Sequence, residues 1–140
     1  MNRYLLDTNI IVFYLFGERD NFSNETIRIL SDYESQLYTS SIAIGELIQL
    51  FRLKKVQSRR FKTAKDLVKA IEDDFFITIL PFTKQHTKTL SGLQITDGHS
   101  DPFDHCIISH ALTEKLSLIS SDTRFKNYIE QGLLFVFNKR

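Results

Sequence analysis

Short apolar runs alternate with longer amphipathic ones along the chain, and turn residues punctuate them. Residues 4–6 read as a buried strand, and the mostly apolar segment 9–16 as a helix that stops at Gly17. Residues 23–33 have a helical pattern, 37–40 form a second strand, and Ser41 is placed to cap a helix running to about Lys54. A further helix is expected over 63–74. The β-branched run 76–80 follows as a strand, ended by Pro81, which lacks the donor a sheet ladder needs. A helix over 83–93 reaches the break at Asp97 and Gly98. Asp101 then caps, and Pro102 opens, a helix extending to about Lys115. A strand at 116–120, a short helix at 123–128 and a last strand at 133–137 complete the chain.

Strand and helix alternate throughout, which predicts an α/β fold. Its central sheet, of four or five mainly parallel strands, has helices on both faces joined by right-handed crossovers. In such a fold the functional crevice lies outside the carboxyl ends of the strands, where Asp7 and Asp122 fall. At 140 residues the chain is expected to be one domain, 1–140, with one active site. The formal net charge of +1 excludes a single-sign field over the whole surface, so a polyanion would be met by a local patch. The lone cysteine, Cys106, cannot form an internal disulfide, and Met1 to Arg3 lead into the first strand without a secretory signal. Both features predict a reducing cytoplasm. No apolar run approaches the roughly 18 residues that cross a bilayer, so no membrane role is expected.

The candidate chemistry is acidic. Glu46 lies within a turn of Ile42, Ala43, Leu47 and Leu50, on the side of its helix that should be buried, where an unpaired carboxylate is costly. Taken alone, it is equally well explained by a nearby arginine. Asp104 shares an inward stripe with Ile107, Ile108 and Ala111, at a helix start whose dipole favours its charge. Asp101 and Asp104 also have the spacing of a capping box, and Asp7 and Asp122 can be turn or capping residues before Thr8 and Thr123. Convergence changes the weighting: four carboxylates aimed at one crevice repel one another unless a cation joins them. An oxygen-rich site without cysteine suits Mg2+ or Mn2+, and such ions support hydrolysis of phosphodiesters.

These residues carry a resemblance to the PIN-domain family, especially the VapC-like toxin ribonucleases of type II toxin-antitoxin systems. It rests on Leu5-Leu6-Asp7-Thr8-Asn9, Gly45-Glu46-Leu47, His99-Ser100-Asp101-Pro102-Phe103-Asp104 with Ile107, Ile108 and Ala111, and the closing run Leu118 to Phe125. The resemblance implies a PIN-like three-layer α/β/α sandwich and a metal-dependent endoribonuclease. Asp7, Glu46, Asp104 and Asp122 would hold Mg2+ or Mn2+, with Thr8, Asn9 and Ser120 as polar support and Asp101 as a cap or outer ligand. It also implies a homodimer inhibited by a small antitoxin protein. The chain departs from related sequences at His105, where arginine is frequent, and at Ser120, where threonine is. His105 can titrate near neutral pH, but a solvent-facing role is expected.

Arg52, Lys54, Lys55, Arg59 and Arg60 begin a basic stretch that continues through Lys62, Lys65 and Lys69. It can contact RNA phosphates or be an ordinary solvated face. Phe51 and Phe61 are interleaved with it, and core packing is the favoured account for them. His86 and His110 sit in helices without a histidine or cysteine at ligand spacing, so packing or surface roles are expected, and Cys106 reads as a buried thiol. Three other functions compete. A phosphatase with Asp7 as nucleophile would want a second aspartate where Asn9 stands. A DNA-directed metal nuclease would use the same acids, and a non-catalytic or stand-alone binding module would retain them without turnover.

Overall fold

Two consecutive leucines in the first strand establish the layering. In the computed structural model, which describes residues 2–140 and so leaves Met1 of the opening segment outside the described residues, Leu5 and Leu6 are fully buried. Successive strand residues face opposite sides of a sheet. Leu5 accordingly packs in one core with Ile107, Ile108, Ala111, Leu118 and Tyr128, while Leu6 packs in the other with Ile10, Leu47, Ile71 and Ile119. Each such leucine contributes roughly 1.5–3 kcal/mol by burial.

The strand that carries them, β1 (Arg3–Leu6), is the middle of a five-stranded sheet. It pairs with β2 (Gln36–Ser40) on one side and β4 (Ser117–Ser120) on the other. The edges are β3 (Ile77–Leu80) beside β2 and β5 (Phe135–Phe137) beside β4, and every pair is parallel. Helices α1 (Thr8–Leu15), α2 (Asn24–Ser31) and α4 (Ala64–Asp73) contribute to the Leu6 core. The helix α6 (Pro102–Glu114) and the 3-10 helix Thr123–Gln131 contribute to the Leu5 core. Between β2 and α4 runs α3 (Ser41–Arg52), which puts Ile44 and Leu47 into the first core and Ala43 into the second. The nine-residue α5 (Lys84–Gly92) packs against α6. None of the described helices is long and apolar enough to cross a membrane.

The expected α/β/α sandwich is therefore observed, with five strands and all of them parallel. Several local readings need correction. The cap of α3 is Ser40, whose hydroxyl accepts the Ile42 N–H at 3.1 Å, and not Ser41, whose hydroxyl accepts the Phe82 N–H at 2.9 Å instead. Phe76 is not a strand residue: its φ of 56° is left-handed and turns the chain from α4 into β3, leaving the ring 79% exposed. Lys115 is likewise left-handed and terminates α6, so β4 starts at Ser117 instead of residue 116. The expected short helix at 123–128 is a 3-10 helix that continues to Gln131, where Gly132 ends it at φ 101°. The last strand is correspondingly confined to Phe135–Phe137.

Candidate metal centre

From β1 the chain crosses over toward β2, whereas β4 connects onward to β5, so a crevice opens beyond the carboxyl ends of these two neighbouring strands. Asp7 follows β1 and caps α1. One carboxylate oxygen accepts the Thr8 N–H at 2.8 Å, and the other accepts the Ser120 hydroxyl at 2.7 Å and the Asn9 amide at 3.3 Å. The Thr8 hydroxyl donates to Glu46 Oε1 at 3.0 Å, tying the start of α1 to the middle of α3. Glu46 is half-buried beside the fully buried Ala43 and Leu47. In the first turn of α6, Asp104 is buried and accepts a hydrogen bond from His99 Nε2 at 2.9 Å. The Asp101–Asp104 capping box does not form: Asp101 alone caps α6, accepting the Phe103 N–H at 2.9 Å. Asp7, Glu46, Asp101, Asp104 and Asp122 line one cleft of about 370 Å³.

The pKa values of the acids shift in different directions. Burial raises the pKa of Asp7 to about 7, with the negative charges of Asp104 and Glu46 pushing the same way against the Ser120 and Thr8 hydrogen bonds. Burial also raises Glu46, as do Asp101 and Asp104. Asp104 is raised first by burial and then by Asp101 and Asp122, with His99 partly offsetting them. Asp122 moves the other way, held below the usual carboxylate range by hydrogen bonds from Arg124. The Arg124 guanidinium grips both its oxygens, from Nε at 3.1 Å and from Nη2 at 2.7 Å, and stands 3.6 Å from Asp104. Among the described residues neither Asp7 nor Glu46 has an ion-pair partner. Desolvated carboxylates facing one another in this way fit a hard divalent cation, for which Asp7, Glu46 and Asp104 offer oxygen ligands. Asp122, already neutralised by Arg124, is a weaker claimant.

Two participants were not singled out from the sequence. Arg124 lies two residues after Asp122, a spacing that lets an arginine in the first turn close on its own cap. His99 precedes Asp104 by five residues and is buried; the Tyr128 hydroxyl lies 3.0 Å from Nδ1, which leaves Nε2 to carry the proton that Asp104 receives. His105 is not solvent-facing but half-buried, its Nε2 donating to the His99 carbonyl at 2.8 Å, and so it braces the loop that presents His99. Cys106 is half-buried instead of buried, and burial pushes its thiol pKa up, with Asp101 adding to the rise. His86 and His110 are both buried, and, although neither has a ligand partner at motif spacing in the sequence, their side chains meet Glu114. Arg52, Lys54 and Lys62 line a groove of about 720 Å³ that shares Val56 with the acidic cleft. Arg60 is engaged by Asp74 at 2.7 Å, and Phe61 is buried against Phe16, as expected of core packing.

Residues 4–130 match the PIN domain family. The chain belongs to it. PIN domains are in general nucleases that use divalent metals, and the five acids of the cleft lie inside the matched span. Solved structures with the same PIN fold include VapBC2 from Rickettsia felis bound to a DNA fragment from their promoter. It is 21% identical with a TM-score of 0.65, over 98% of this chain and 99% of that one. VapBC-1 from nontypeable Haemophilus influenzae is 21% identical with a TM-score of 0.62, over 96% and 97% of the two chains. FitAcB from Neisseria gonorrhoeae is 22% identical with a TM-score of 0.59, over 96% of each. No curated protein matches the sequence.

Proposed function

We propose that this PIN domain is a Mg2+- or Mn2+-dependent endoribonuclease, the toxin of a toxin-antitoxin pair, acting in the cytoplasm as a homodimer. The observation that carries the catalytic reading is the trio Asp7, Glu46 and Asp104, which share one cleft with raised pKa values, Asp7 and Glu46 having no ion-pair partner among the described residues. These three would hold the ion, with Asp122 at its margin and Asp101 as an outer group. A bound ion supplies the charge that draws a phosphodiester to the acids and lowers the pKa of the attacking water. Ser120 and Asn9 fix the rotamer of Asp7, Thr8 fixes Glu46, and His99 fixes Asp104, so the acids are oriented before substrate arrives. RNA is favoured as substrate by the family resemblance. A path for its phosphates runs from the groove of Arg52, Lys54 and Lys62 to the cleft, where Arg124 and Arg140 stand at the wall. The similar structures of VapBC pairs support a small antitoxin as partner.

The test is cleavage of end-labelled structured RNA by the purified chain, freed of any partner. New fragments should appear with Mg2+ or Mn2+, vanish with chelator, and be absent for Asp104→Asn of unchanged circular dichroism. Cleavage that survives chelation refutes the mechanism. RNA retained on a filter with no fragments in either metal makes the chain a binding module, and equal cutting of single-stranded DNA removes the RNA assignment.

Arg124 separates two kinds of contribution. Arg124→Ala strips a positive charge from beside Asp122 and Asp104, so Mn2+ should bind a few-fold more tightly because its repulsion by the guanidinium is removed. RNA cleavage should nevertheless slow by about tenfold or more if the guanidinium meets the scissile phosphate. Metal titration and single-turnover cleavage on one preparation check both; weaker metal binding together with faster cleavage would contradict the assignment.

A further inference from the structure

Two turns along α6 from Asp104, a second group of cation-binding side chains shares no residue with the acidic cleft. His110 and Glu114 project from successive turns of α6, and His86 meets them from the first turn of α5. Their potential ligand atoms all lie within 4.8 Å of one another. Both imidazoles are buried, His86 to 2% exposure and His110 to 0%, whereas the Glu114 side chain is 37% exposed and opens the cluster to solvent. His110 Nε2 is the only buried side-chain nitrogen or oxygen without a hydrogen-bond partner among the described residues. An orphaned polar atom at such a depth is costly, and it needs an explanation.

We propose that His86, His110 and Glu114 form a second cation site, selective for Zn2+ over Mg2+ and Mn2+, that ties α5 to α6. Two imidazoles and one carboxylate are a donor set that Zn2+ takes with water completing a tetrahedron, and imidazole favours Zn2+ over the harder ions. The surroundings are those of a built ligand shell. His110 Nδ1 lies 2.8 Å from the Ser40 hydroxyl, a contact that fixes the ring and directs Nε2 inward. Phe82 covers both rings, with centroids 5.5 Å from His86 and 5.8 Å from His110. Burial, and next the neighbouring His86, lowers the pKa of His110 to about 4, so its ring stays neutral and keeps a lone pair for a metal.

Binding asks for modest rearrangement. Ligand atoms of tetrahedral Zn2+ lie about 3.4 Å apart, so the widest separation closes by at most about 1.4 Å, largely through the partly exposed Glu114. His86 Nε2 and Glu114 Oε2, now 2.6 Å apart, must separate. The Thr83 N–H donates to His86 Nδ1 at 2.8 Å, so the proton rests on Nε2 and points to Glu114. On ligation Nε2 gives up that proton, Nδ1 takes one and donates it to the Thr83 hydroxyl, now 2.9 Å away, and the ring's charge is unchanged. The loss of the Thr83 N–H contact is the cost set against the new bonds.

Titration of the Asp104→Asn chain with Zn2+ in excess Mg2+ tests the site with the acidic cleft disabled. One-to-one binding and a raised melting temperature are expected, together with about 100-fold weaker binding in a background that also carries Glu114→Ala, at a half-exposed position, or His110→Asn. Imidazole nitrogen NMR needs no substitution at the site: with four histidines in the chain, Zn2+ should shift the Nε2 signals of His86 and His110 and spare His99 and His105. Shifts confined to His99 and His105, affinity unchanged by Glu114→Ala, or absence of Zn2+ binding at concentrations that saturate a free imidazole pair would each overturn the proposal. The outcome is independent of whether the chain cuts RNA.

Discussion

Asp7→Asn is expected to lower metal-dependent RNA cleavage by about 10³-fold while making the metal-free protein more stable at pH 8. The activity loss follows from removing the most buried oxygen donor of the trio. Metal-ion stabilisation of a phosphoryl transition state is worth several kcal/mol, and about 4 kcal/mol corresponds to that factor. The stability gain follows from the environment of the same group. Asp7 is 5% exposed and, without an ion, must either carry a proton or remain charged beside Glu46 and Asp104. Asparagine keeps an oxygen for the Thr8 N–H and presents its amide to Ser120, giving up the weaker Asn9 contact, so the cap of α1 survives while the repulsion goes. For a chain of this size a rise of roughly 5–10 °C in melting temperature is expected at pH 8. Thermal unfolding and single-turnover cleavage of one preparation decide it: activity within tenfold of the parent removes Asp7 from the metal centre.

The fold was legible because its signals are local. Alternating apolar runs place β1, β2 and β4, and Asp101-Pro102 marks the start of α6 two residues before the acid that matters. The errors lie where a neighbour distant in sequence decides. Ser40 and Ser41 are equally good caps on paper; Phe82, 41 residues away, takes the Ser41 hydroxyl and leaves the cap to Ser40. Asp104 has capping-box spacing, but His99 claims its carboxylate before the backbone of Asp101 can. The left-handed turn at Phe76 has no signature, because an aromatic residue there is unfavourable and only the packing of α4 against β3 imposes it.

At the site, residue types were readable and pairings were not. Glu46 and Asp104 stood out as charges on inward helix faces and Asp7 as an acid at the end of a strand, and the three do line one cleft. Asp122 looked equivalent in sequence, yet the arginine two positions on gives it the opposite pKa shift. His86 and His110 stand 24 positions apart, outside any contiguous ligand motif. Only the packing of α5 on α6 brings their ring centroids to 3.9 Å.

Metal affinity should fall steeply as the solution becomes acidic, and the sign follows from Asp7. Its folded pKa is raised from 3.8 to about 7, so the proton and the ion compete for one carboxylate below neutrality. Each pH unit below 7 should therefore weaken Mn2+ binding by about tenfold, with little change above about pH 8. Glu46 and Asp104, also raised, steepen the fall if they release protons with Asp7. The same shift acts on folding in the opposite direction. A carboxyl group with a raised folded pKa stabilises the metal-free protein below its unfolded value, and that stability is lost as pH rises through about 7. Asp7 alone accounts for up to about 4 kcal/mol. His110, whose pKa falls from 6.5 to about 4, opposes it: its contribution is present above 6.5 and is lost as pH falls through that interval. The two effects oppose each other in the parent between pH 4 and 6.5, where the raised Glu46 and Asp104 add to the Asp7 slope, so the parent's curve alone isolates neither. The difference between Asp7→Asn and the parent isolates the first effect. It should grow from pH 4 to 7 and level off above, while the Mn2+-induced rise in melting temperature of the parent grows over the same interval. A difference independent of pH would mean that Asp7 is ionised throughout, and the acidic cleft would then lack the strain that a cation is proposed to relieve.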